Sequence, residues 1–196
     1  MAPSVAISGE APMSGNRPAN VKLRSFSRSL PMALLVAREA VMNRFRPSLN
    51  LFNLTEQQWR VLRALSSVHE VEVLDLARAS CLLAPSLSRI LRDLEERGLI
   101  VRRHPESDMR RSLISISDKG LVLIDAVAPF SETTYARITE TFGKERMEEL
   151  HALLKELAVA LDALPAEDYS GVRLDDEVLD LINVRRRGRP RNDPVE

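Results

Sequence analysis

The 196-residue sequence is short of residues that several fold and function classes require. It has one cysteine, Cys81, so no disulfide can form within the chain, which agrees with a reducing compartment. Aromatic residues make up 4% and glycines number 7, while Leu, Ala, Arg and Glu abound; that balance favours helices over a β sandwich. No run reaches the roughly 18 apolar residues that span a bilayer. No apolar segment follows a basic start as in a secretory signal. The expectation is a cytoplasmic protein with no membrane partner. Net charge is missing too, since 28 Lys and Arg balance 28 Asp and Glu. A nucleic-acid partner would therefore have to meet basic residues gathered on one face.

Signatures of catalysis are also absent. There is no Gly-rich phosphate loop, no nucleophile elbow and no paired-carboxylate motif, so an enzyme is not expected, nor a cofactor. His69, His104 and His151 are scattered without ligand spacing, which leaves no metal site. Cys81 sits in an apolar run with Leu82 and Leu83. It is expected to be a small buried hydrophobe rather than an exposed, low-pKa redox thiolate.

What is present reads as helices. Residues 1–29, rich in Pro, Ser, Gly and Asn, form a disordered arm by composition. Leu30, Leu34, Ala37, Val41 and Phe45 recur at spacings of four and three, one apolar helical face, with Pro31 suited to the first turn. Thr55-Glu-Gln-Gln58 matches a capping box, after which Trp59, Leu62 and Leu65 would face a core. A short extended piece, Val71–Val73, precedes a helical Leu74–Ser80. A second helix, Pro85–Arg97, ends at Gly98, where a left-handed residue is needed. Leu99–Arg103 and Ser112–Ile116 have strand composition and read as a hairpin with a polar linker.

Helix resumes at Asp118. From about Lys144 to Leu164, Met147, Leu150, Leu154, Leu157, Leu161 and Leu164 alternate spacings of three and four, a heptad seam for packing along another helix. Residues 165–196 turn acidic and then basic, and are expected to be a disordered tail.

Two short helices followed by a hairpin make a winged helix-turn-helix, so the fold class is mainly α with a small β wing. Leu87, Ile90, Leu91 and Leu94 anchor the second helix, leaving Ser86, Ser88, Arg89, Arg92 and Asp93 on the opposite face; Pro85, in the first turn, joins Ser86, Ser88, Arg89 and Arg92 as a candidate DNA contact. Short hydroxyls and an Arg at the start of a helix suit a major groove. A merely solvated face is the alternative for the helix alone. The hairpin linker adds Asp108, Arg110 and Arg111: an Arg at a loop tip suits a narrow minor groove, and Asp108 can orient it. The tail segment Arg187, Gly188, Arg189, Pro190 and Arg191 is similar to the core of an AT-hook, a minor-groove ligand, with an uninvolved basic tail as the equal alternative.

Leu74-Asp-Leu-Ala-Arg78, Ser88 through Ile100, Asp108-Met-Arg-Arg111 and Ile116-Ser-Asp-Lys-Gly120 resemble the MarR family of winged helix-turn-helix regulators over roughly Leu30 to Leu164. The resemblance implies a dimeric repressor in which 30–53 and 118–164 are dimerisation helices and 54–117 is the DNA-binding lobe. Double-stranded DNA carrying a pseudo-palindromic operator is the implied partner. Arg110 would enter the minor groove with Asp108 in support. Leu35 to Met42, Phe45-Arg-Pro47 and Leu54 to Arg60 resemble, more narrowly, the repressors of homoprotocatechuate (4-hydroxyphenylacetate) degradation operons. That implies a small aromatic acid or its thioester as effector, with Arg38, Arg46, Trp59 and Arg60 as candidate pocket residues. A related regulator answering another ligand or an oxidant, and an architectural DNA-binding protein without effector, stay open.

Overall fold

Helix α1 (Leu30–Leu51) begins where Ser29, in extended backbone, accepts a hydrogen bond from the Met32 N–H through its hydroxyl. It ends where Asn53 turns left-handed and the Leu54 N–H reaches back to the Leu49 carbonyl at 2.9 Å. The computed structural model describes residues 26–105, 108 and 111–183. They fall into two units, one ending at Gly143 and the other beginning at Lys144.

In the first unit α1 is followed by α2 (Glu56–Leu65), β1 (Val71–Glu72), α3 (Val73–Ser80), α4 (Ala84–Glu96), β2 (Ile100–Arg103), β3 (Leu113–Ile116) and α5 (Asp118–Phe142). The capping box at α2 is complete: the Gln58 N–H donates to Thr55 Oγ1 at 3.2 Å, and the Thr55 N–H donates to Gln58 Oε1 at 2.7 Å. The strands form one antiparallel sheet in the order β1-β3-β2, with Val71 and Arg102 both opposite Ile114. Ile114 is therefore the middle of the sheet, and it is fully buried.

Against its inner face lie Leu62 and Leu65 of α2, Leu76 of α3, Leu87, Leu91 and Leu94 of α4 and Val127 of α5, all fully buried. Each such leucine stabilises the fold by about 2 kcal/mol through burial alone. Two edge-to-face ring pairs pin α1 and its C-cap to α5: Phe45 with Tyr135 at 4.8 Å between centroids, and the cap residue Phe52 with Phe130 at 5.5 Å. The second unit contains α6 (Lys144–Asp162) and α7 (Asp176–Asn183). Among the described residues no helix is long and apolar enough to cross a membrane.

Two apolar faces stand open within the chain, and two expectations change. The apolar face of α1 is helical as read, but only Phe45 of its five residues is buried, while Leu30, Leu34 and Val41 are exposed. No residue of α6 is buried either, so its leucine seam is uncovered within the chain. Cys81 is exposed rather than buried. It occupies the left-handed C-cap of α3 (φ 50°), which turns its side chain outward while Leu82 is partly buried in its place. Finally, the tail expected to be disordered contains α7, whose Val178, Leu179, Leu181 and Ile182 hold helical spacing between acidic residues.

Candidate nucleic-acid interface and its adjoining pocket

The orientation of α4 is set at its two ends. At the exit, Gly98 is left-handed (φ 70°) and the Ser117-Asp-Lys-Gly120 turn clamps it. Ser117 Oγ donates to the Gly98 carbonyl at 2.7 Å and accepts from the Gly120 N–H at 3.0 Å, while Lys119 Nζ donates to the Arg97 carbonyl at 2.6 Å. These bonds satisfy carbonyls that the end of α4 leaves without helical partners. At the entrance, Leu83 caps α4 without a side-chain hydrogen bond, and Pro85 occupies the first turn. The first-turn N–H groups, with the positive end of the helix dipole, are thus presented for an anion.

Pro85, Ser86, Ser88, Arg89 and Arg92 are all exposed on α4, while Leu87, Leu91 and Leu94 hold the opposite face in the core. Ser88 spends its hydroxyl on the Ala84 carbonyl at 2.9 Å. Arg89 and Arg92 make no ion pair with any described residue, whereas neighbouring arginines do: Arg102 pairs with Glu95 and Arg97 with Asp93.

The hairpin is braced from β1 and the residue before it. Arg103 forks onto Glu70 at 2.8 and 2.5 Å, and Arg111 donates to Glu72, so Arg111 serves the base of the wing. Asp108 is partly buried, its carbonyl accepting from the Arg111 N–H at 3.1 Å. Arg110 and the tail residues Arg187 to Arg191 lie outside the described residues.

Gln58 does double duty. Beyond its capping bond, its side-chain amide donates to Asp93 of α4 at 2.6 Å, tying the start of α2 to α4. Replacing Gln58 by Ala is expected to remove about 1 to 2 kcal/mol of stability. The shift of the urea midpoint measures it.

Between α1, α2 and α5 lies a cavity of about 260 Å³, lined by Met42, Glu56, Trp59, Arg60, Arg63, Ser131, Glu132 and Tyr135, among others. Of the four residues proposed from sequence, it brings together Trp59 and Arg60. Arg63 stacks over the Trp59 ring at 6.0 Å from its centroid. Arg60 Nη1 donates to the carbonyl of Ser80, the last residue of α3, at 2.9 Å.

Arg38 and Arg46 line a neighbouring depression instead, and both are paired. Arg38 bridges Glu39 at 2.6 Å and Glu56 at 2.5 Å; Arg46 bridges the same two carboxylates, each at 2.5 Å. The hydrogen bond from Arg46 holds the Glu39 carboxyl below the usual carboxylate range. Glu56, little exposed, lines both depressions and so joins the network to the pocket.

Arg63 and Tyr135 are pocket residues that the sequence reading missed. Arg63 carried a signal, being one turn beyond Trp59 on the same helix face. Tyr135 carried none, since only the packing of α5 brings it there.

The MarR family model matches residues 54–112. The chain is 41% identical over 143 residues to the homoprotocatechuate degradative operon repressor of Escherichia coli, covering 73% of this chain and 96% of that one. A solved structure of NadR in complex with 4-hydroxyphenylacetate aligns with a TM-score of 0.61 at 40% identity, over 70% of this chain and 98% of the other. The repressor CouR bound to a 23-mer DNA duplex aligns with a TM-score of 0.63 at 27% identity, over 70% and 99%. With a three-stranded sheet, an outward-facing α4 and identity at this level over nearly the whole of a curated relative, the chain belongs to the MarR family of dimeric, DNA-binding transcriptional regulators and is not an enzyme.

Proposed function

We propose that the chain is a cytoplasmic repressor of an aromatic-catabolism operon, released from its operator when a small aromatic acid enters the pocket at Trp59. The observation that carries this reading is the composition of that pocket: two aromatic rings, Trp59 and Tyr135, and two guanidiniums, Arg60 and Arg63, on walls shared with the DNA-binding lobe. A planar ring fits between aromatic walls, and a carboxylate accepts paired hydrogen bonds from guanidinium. Glu56 and Glu132 on the same lining suit a phenolic hydroxyl donor. A volume of about 260 Å³ suits a one-ring ligand; drug-sized ligands take roughly 300 Å³ or more. The relatedness to NadR, solved with 4-hydroxyphenylacetate, supports the same class.

On DNA, Pro85, Ser86, Ser88, Arg89 and Arg92 face the major groove, and Arg110, supported by Asp108, the minor groove. The exposed apolar faces of α1 and α6 pair with a second copy and fix the spacing of the two lobes, about 34 Å for half-sites one helical turn apart. The ligand acts by favouring a spacing that mismatches those grooves.

A gel shift with a panel of phenolic acids including 4-hydroxyphenylacetate tests the reading. Operator Kd is expected to rise by roughly 10- to 100-fold with the right acid. An operator complex indifferent to every acid in the panel would sink it.

A further inference from the structure

Arg60 belongs to two structures at once. It lines the pocket, and its only hydrogen bond among the described residues holds the Ser80 carbonyl at the end of α3. That carbonyl sits at a demanding place. Ser80 is fully buried, and the next residue, Cys81, adopts the left-handed conformation that side chains other than glycine resist. Cys81 opens the turn between α3 and α4, so its dihedral angles set the direction in which α4 leaves. A guanidinium on the last carbonyl of α3 also meets the negative end of that helix's dipole.

We propose that Arg60 is the positioning residue that carries pocket occupancy to the helix-turn-helix: a carboxylate bound in the pocket draws the Arg60 guanidinium off the Ser80 carbonyl, and the turn at Cys81 relaxes. This rests on the pocket reading above, and it names the regulation of that site. The physics is a competition for one cation. A carboxylate is a stronger partner for guanidinium than a neutral carbonyl, because the acceptor is ionised. Loss of the guanidinium leaves a buried carbonyl unsatisfied, which the turn can relieve only by moving. The route is direct, since a single side chain spans from ligand to turn. Arg63 shares the pocket but makes no contact with the turn in the bonds described, so it binds without transmitting.

The chain supplies its own reporters. Trp59 is the only tryptophan and Cys81 the only cysteine, the first in the pocket wall and the second exposed in the turn. The full-length protein would carry a trifluoroacetonyl tag on Cys81 for fluorine NMR, with Trp59 fluorescence reporting occupancy and 4-hydroxyphenylacetate as the probe. In the wild type, the probe is expected to quench Trp59 and to move the Cys81 resonance. Arg60→Met, with no probe added, is expected to place that resonance where the wild type arrives only when saturated, and to weaken operator binding by ~10-fold or more. Arg63→Lys is expected to need more probe yet to give the full shift at saturation.

A merely structural Arg60 would disturb the resonance without placing it at the ligand-bound position. The inference is overturned if Arg60→Met keeps the ligand-free resonance, or if the wild type shows Trp59 quenching with no movement at Cys81; in both cases the pocket reading stands. If the probe leaves Trp59 and the operator complex unchanged, the pocket reading falls and takes the coupling with it.

Discussion

Gly120→Ala is expected to destabilise the protein by roughly 3 kcal/mol or more, a loss of about 10 °C in the melting temperature for a chain of this size. Gly120 is buried in the first turn of α5. A Cβ there would lie 2.2 Å from the Leu99 carbonyl oxygen and 2.6 Å from Ile116 Cγ1. The nearer obstacle is the backbone just before β2, so no rotamer change removes it. Relief needs α5 to draw back from the α4 exit, and that movement would break the clamp formed by Ser117 on Gly98 and Lys119 on Arg97. The variant should therefore lose operator affinity together with stability, because the same bonds hold the end of α4. Calorimetric melting of Gly120→Ala beside Lys119→Met separates the two contributions: the first should be the costlier by a clear margin. A Gly120→Ala protein that melts with the wild type would show that α5 is not packed against the Leu99 carbonyl.

How much of this was legible beforehand follows from how local each signal is. The capping box at Thr55, the left-handed Gly98 and the buried stripe of α4 lie within a few residues of their causes, and the structure has all three where they were expected. Burial of α1 was not legible, because periodicity reveals that a helix has an apolar face but not what lies against it. Cys81 was misread for a related reason. An apolar run suggests interior, yet the left-handed cap that directs Cys81 outward leaves no composition signal, as any residue forced into that position looks ordinary in sequence. In α7 the acidic residues hid four apolar ones at helical spacing. The pocket was half legible. Trp59 and Arg60 lie together on α2, but Tyr135 and Glu132 arrive from α5, and the pairing of Arg38 and Arg46 with Glu39 and Glu56 depends on how α1 crosses α2.

The Arg89 guanidinium decides what the outward face of α4 is for. A solvated helix face and a major-groove reader share the same amphipathic pattern, but they differ in how their cations are engaged. Arg97, Arg102, Arg103 and Arg111 are all paired with carboxylates, and such pairing is how a structural surface uses arginine. Arg89 and Arg92 stand exposed at the start and middle of α4 with no ion pair among the described residues. Arg89→Ala should leave folding almost untouched, because surface changes of this kind stay within about 0.5 kcal/mol. Its effect on the operator should be large. A bidentate contact to guanine is worth about 1 to 3 kcal/mol, and a dimer makes it twice, giving roughly 2 to 6 kcal/mol or ~30- to 20,000-fold in Kd. Salt then distinguishes base from backbone. If Arg89 reads a base, the loss should be confined to operator DNA and binding to unrelated duplex should change little. If it only neutralises phosphate, both should weaken together and the slope of log K against log salt should fall by about 2 per dimer. Unchanged operator affinity in fluorescence anisotropy would return α4 to the solvated reading and leave the recognition of DNA to the wing.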